Sequence, residues 1–188
     1  MANGLKRLSN WCYRVVSTPV IAGSLAVFIL FMLFVLPKMA GRLSEITGVN
    51  QSPDTSFIYS AADLYAMAEA YGPEGRAYYI YQRFTFDLFW PLVYLLFFLA
   101  LITLLYRQLP STSSLRIVNL LPFAGVLFDL LENSGAAYVM YRYPEQVPFL
   151  AALVPVFTFF KWLFIGLSSL AILAGVVILL LKRISTTS

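Results

Sequence analysis

Arg83, Asp87, Asp129, Glu132 and Lys161 are ionisable residues set in segments otherwise apolar enough to cross a bilayer. A charged side chain in hydrocarbon costs about 2.5–3.5 kcal/mol even on lenient insertion scales, so such residues mark a functional site by default. Asp129, Glu132 and Asn133 share one helical face through their i, i+3 and i+4 spacing. Two carboxylates on adjacent turns in low dielectric favour holding a proton between them. An acid kept protonated beside a carboxylate is suited to giving and retaking a proton. Asp129, Glu132 and Asp87 are therefore the candidate catalytic groups. The candidate ligand-binding residues are Tyr79, Arg83, Tyr94, Asn133, Thr158, Lys161 and Trp162. Tyr79, Arg83 and Asp87 repeat at i, i+4, which lets Arg83 and Asp87 pair, and Tyr94 continues their stripe. The competing reading is an ion-pair network that fixes helix register and does nothing more.

The 188 residues include no histidine and one cysteine. That excludes His-ligated zinc and haem, Ser-His-Asp and Cys-His catalysis, and histidine proton shuttles. Neither a metal site nor a cofactor is expected, and proton chemistry falls to carboxylates, tyrosines or a lysine. Cys12 has no intrachain disulfide partner; its place before the first apolar run permits S-palmitoylation, which this reading does not adopt.

What must position these groups is a set of membrane helices. The chain is 60% hydrophobic and 12% charged, with a mean hydropathy of +0.79, whereas soluble domains run to about 25% charged. Four spans are expected, over residues 17–38, 76–106, 117–140 and 149–181, in one all-α transmembrane domain, a four-helix bundle. The net charge of +4 does not form a basic face, so nucleic acid is not an expected partner. The positives sit at span ends. One set of flanks carries Lys6, Arg7, Arg14, Arg107, Arg116, Lys182 and Arg183 without an acid. The other carries Lys38, Arg42, Arg76 and Arg142 against Glu45, Asp54, Asp63, Glu69, Glu74 and Glu145. The positive-inside rule then places both termini in the cytoplasm and loop 39–75 outside.

Ser60 and Asp63 have capping-box spacing ahead of a helix-forming run, and Gly72 and Pro73 end it. A short amphipathic helix over 60–71 is expected to lie on the outer interface as a lid. If the second helix ran unbroken from Pro73 to Tyr106 it would be about 51 Å long, more than the roughly 30 Å of hydrocarbon. Counting from the opposite helix ends at about 1.5 Å per residue brings Arg83, Asp87, Asp129, Glu132 and Lys161 to one layer in the outer half. Three helices placed independently agree on that level. Pro91, Pro122 and Pro155 read as bends inside spans. Tyr71, Tyr78, Tyr79, Tyr81, Tyr138, Tyr141 and Tyr143 read mostly as an interfacial aromatic belt.

The series Gly72-Pro-Glu-Gly-Arg76, Tyr78/Tyr79, Asp87, Pro91, Asp129-x-x-Glu132-Asn133 and Lys161-Trp162 resembles a group of uncharacterised bacterial four-span membrane proteins. That resemblance implies a bacterial cytoplasmic membrane and brings no activity. At the level of architecture alone, four helices with acids in one layer are similar to the emopamil-binding-protein-like sterol isomerases. Catalytic members of that group rely on histidine, which this chain lacks, so no residue role transfers. Three function classes follow: a pocket for membrane lipid or a small hydrophobic or amphiphilic ligand, with or without carboxylate proton transfer; a small-solute or proton-coupled carrier; and a structural or accessory subunit. The first is preferred, because a lid and an outward cavity serve no purpose in the third.

Overall fold

The computed structural model describes residues 2–187, and among them every regular element is a helix. A first helix, α1 (Ala2–Val15), precedes the bundle. The first span is α2 (Thr18–Leu30) continued into α3 (Leu36–Thr47). The second spans α4 (Ala61–Arg83) and α5 (Phe86–Tyr106), the third is α6 (Leu121–Arg142), and the fourth is α7 (Pro148–Thr187). Four helical stretches are long and apolar enough to cross a membrane: Thr18–Thr47, Ala61–Tyr106, Ser114–Arg142 and Pro148–Ile184.

Several expected boundaries change, each for a local reason. The first span is longer than 17–38, because its helix passes Pro37 through one π-helical turn, Phe31–Val35. Pro37 lacks an amide hydrogen and crowds the carbonyl four residues back; the Leu36 amide donates to the Phe31 carbonyl, and the wider turn absorbs the misfit. The second span is not one unbroken rod. At Thr85 the hydroxyl takes the Tyr81 carbonyl at 2.7 Å, and the Thr85 amide turns to the Gln82 carbonyl at 3.3 Å. A side-chain hydroxyl here competes with the helical ladder, and α5 restarts at Phe86. Pro122 is no bend: it lies in the first turn of α6, where a missing amide hydrogen costs nothing.

The capping box forms as its spacing requires. The Asp63 amide donates to Ser60 Oγ at 3.3 Å, and the Ser60 amide to Asp63 Oδ2 at 2.8 Å. Gly72 breaks α4 with φ 63° and ψ 177°, a conformation that is essentially glycine-only. The half-helix before that break is not a loose lid. Leu64, Met67, Ala68 and Tyr71 are buried against Val139 and Met140 of α6 and Ala151 of α7, forming the core of the loop end of the bundle. Tyr71 and Tyr79 belong to that core rather than to an aromatic belt; Tyr81, Tyr138 and Tyr141 stay exposed.

α6 and α7 pack against each other most extensively. Gly135 permits their approach, since a Cβ there would stand 2.9 Å from Val154 Cγ2. The first span is peripheral. Only 6% of its most apolar window is buried, against 50% for the second span, so it leans on α5 by one edge. Phe28 stacks on Phe97 at 3.9 Å and Phe31 on Trp90 at 6.2 Å along that edge.

Candidate functional site

The restart of α5 puts Asp87 in its first turn, where the unpaired amides of a helix start favour negative charge. Arg83 ends α4, and its Nε meets Asp87 Oδ2 at 2.9 Å, so the i, i+4 pair survives the break between their helices. Arg83 Nη1 donates to Asn133 Oδ1 at 3.0 Å, and its guanidinium lies 4.5 Å from the centre of the Tyr79 ring. Asn133 in turn donates through Nδ2 to Asp129 Oδ1 at 3.0 Å. Tyr94, from α5, donates its hydroxyl to Asp129 Oδ2 at 2.9 Å.

Lys161 of α7 closes the group. Its Nζ pairs with Glu132 and stands 3.7 Å from Asp129 Oδ1. Arg83, Asp87, Asp129, Glu132 and Lys161 are therefore one connected polar cluster drawn from four helices, all of them buried. Low dielectric strengthens each pairing and equally penalises any member left alone.

The sequence reading missed one member. Asp54 lies in a three-residue 3₁₀ turn, Pro53–Thr55, within the connection between α3 and α4. One carboxylate oxygen of Asp54 pairs with Arg83, and the other accepts from Lys161 at 2.8 Å. Its carbonyl accepts from Trp162 Nε1 at 3.3 Å. This turn roofs the cluster, the role expected of helix 60–71. The only sequence hint was an acid just ahead of the apolar-aromatic run Phe57-Ile-Tyr59; no periodicity places a loop residue.

Four carboxylates thus face two bases. One oxygen from each of Asp54, Asp129 and Glu132 lies within 4.8 Å of the others. Lys161 forms ion pairs with all three, so its ammonium holds the position where a cation would satisfy them.

A cavity of about 430 Å³ adjoins the cluster. Phe28, Met32, Leu36 and Met39 of the first span form one wall, and Phe86, Trp90 and Phe98 of α5 form the facing wall. Its polar end consists of Asp54, Gln82, Arg83, Asp87, Tyr94, Asp129, Lys161 and Trp162. Gln82 is buried with no partner for Oε1 among the described residues.

The expected site residues therefore divide. Asp87, Asp129, Arg83, Tyr94, Lys161 and Trp162 line the cavity. Glu132, Asn133 and Tyr79 stand behind it as supports. Thr158 is an anchor: its hydroxyl lies 2.9 Å from that of Tyr59, which fixes the loop to α7. Burial raises the Tyr59 phenol well above its ordinary range, so this contact persists as a neutral hydrogen bond. Comparisons with protein-family models, with curated proteins and with solved structures find no match to this chain.

Proposed function

We propose that this membrane protein binds a lipid or small amphiphile in its outer half, with the loop between α3 and α4 outside and both termini in the cytoplasm. The observation that supports this is the cavity's two-sided chemistry: aliphatic and aromatic walls along the first span and α5, ending in five charged side chains of which only Asp54 is appreciably exposed. A ligand pocket is commonly an apolar cavity of about 300–1,000 Å³ with a few convergent polar groups. The tail lies along Met32 and Leu36, and the head meets the cluster.

Asp129 and Asp87 are the carboxylates that reach such a ligand, and any proton transfer runs through them. Glu132 lies behind Lys161 and acts on the ligand by holding that ammonium in place. A structural role has one observation in its favour, the complete pairing of both bases. Ala40 separates the readings, because it lines the cavity but carries no charge. In lipid nanodiscs, Ala40→Trp should fold normally and lose an amphiphile that wild type retains in native mass spectrometry. Equal retention, or no retained amphiphile in wild type, would favour the scaffold.

A further inference from the structure

We propose that Asp54 is an internal occupant of an anion subsite, and that the ligand's head group is a carboxylate or phosphate which takes its place. The subsite stands on its own geometry; the tail of the ligand rests on the amphiphile reading above.

Asp54 differs from every other charged member of the cluster. Arg83, Asp87, Asp129, Glu132 and Lys161 come from helices, with side chains 8% exposed or less, whereas Asp54 comes from a loop and is 26% exposed. The donors of Arg83, Lys161 and Trp162 converge on this one residue. These are N–H groups with no acceptor capacity, so only an acceptor satisfies them, and an anion does so most strongly.

The subsite is held open by contacts that do not involve Asp54. Arg83 stays fixed by Asp87 and Asn133, and Lys161 by Glu132 and Asp129. The turn bearing Asp54 is bonded within itself, independently of the Asp54 carboxylate. Ser52 O accepts from Thr55 Oγ1 at 3.2 Å and from Ser56 Oγ at 2.9 Å, so the turn satisfies itself. Its anchors lie on either side, where the Tyr71 hydroxyl donates to the Gln51 carbonyl at 2.8 Å and Tyr59 meets Thr158. Between them Phe57 stacks on Trp162 at 5.0 Å.

Charge selects the head group. Exchanging the Asp54 carboxylate for another carboxylate, or for a singly ionised phosphate, leaves the cluster at four negative charges to two bases, so no further charge is buried. An amine head would have to compete with Arg83 at Asp87 Oδ2 and with Tyr94 and Asn133 at the two oxygens of Asp129.

The test is a thermal-shift titration of wild type and Asp54→Ala in neutral-lipid nanodiscs. The probes are acetate, dodecanoate, dodecyl phosphate and dodecyltrimethylammonium. With its internal competitor removed, Asp54→Ala should bind dodecanoate or dodecyl phosphate at least tenfold more tightly than wild type. Acetate should also restore part of the melting temperature lost by the variant. If acetate acts on Asp54→Ala but the long-chain anions gain nothing over it, the anion subsite stands and the amphiphile reading falls. Binding of dodecyltrimethylammonium by wild type that Asp54→Ala abolishes would overturn the proposal. So would a folded Asp54→Ala that responds to none of the anions. Should that variant fail to fold, Asp54→Asn, which keeps the shape and removes the charge, carries the same titration with the same outcomes.

Discussion

The unequal count of acids and bases makes Lys161 and Glu132 energetically unequal although they form one ion pair. Lys161→Met leaves Asp54, Asp129 and Glu132 with oxygens within 4.8 Å of one another and no ammonium between them. At an effective dielectric of about 20, each ionised pair at that distance repels by about 3.5 kcal/mol. Proton uptake relieves part of this, and the net loss should approach the roughly 3–5 kcal/mol of a buried pair stripped of one partner. For a chain of this size that is a fall of about 6–20 °C in melting temperature. Glu132→Gln removes a negative charge from the side already in surplus. Lys161 keeps Asp54 at 2.8 Å and Asp129 at 3.7 Å, so it is not left unpaired. The expected change is no more than about 1 kcal/mol, or about 4 °C, in either direction. Scanning fluorimetry of both variants in one neutral detergent measures the contrast. Equal large losses would refute the charge-surplus argument and mark a pairwise scaffold.

Gly135→Ala should destabilise by about 1–3 kcal/mol through overpacking against Val154, and Val154→Ala in the same chain should recover part of it, both read as melting temperatures. Gly72→Ala places a side chain at φ 63°, ψ 177° and should cost a similar amount, about 1–3 kcal/mol; a neutral result would mean that the break in α4 relaxes. Cys12 is fully buried, and burial raises its thiol above the ordinary value of 9.0. Maleimide should therefore label it at least tenfold more slowly in the folded protein than in sodium dodecyl sulfate. Because the folded state holds this proton to higher pH than the unfolded state, Cys12 also makes stability decline as pH rises past 9.0, a decline that Cys12→Ser should lessen in a pH series of melting curves.

Long apolar runs gave the four stretches able to cross a membrane, because backbone polar groups in hydrocarbon must be satisfied within the segment itself, whereas helix α1 carries no such run. Helical periodicity likewise placed Asp129, Glu132 and Asn133 on one face, and rise per residue brought Arg83, Asp87 and Lys161 to their level. Those are one-dimensional properties, read directly from spacing. The break at Thr85 and the π-helical turn before Pro37 were less legible, since each depends on which hydrogen bonds a hydroxyl or a proline leaves to its neighbours.

Only the tertiary structure decided that Asp54 joins the cluster. Its place comes from the path of the chain after α3 and from partners on α4 and α7, more than 25 and 100 residues away. The same is true of the cavity. It exists because the first span leans on α5 by one edge, a packing choice that a uniformly apolar helix does not encode in its own pattern. Which acids face that space, and which stand behind a base, follows from helix rotation about contacts such as Gly135 with Val154. Sequence spacing sets the face of a helix, but its neighbours decide what the face meets.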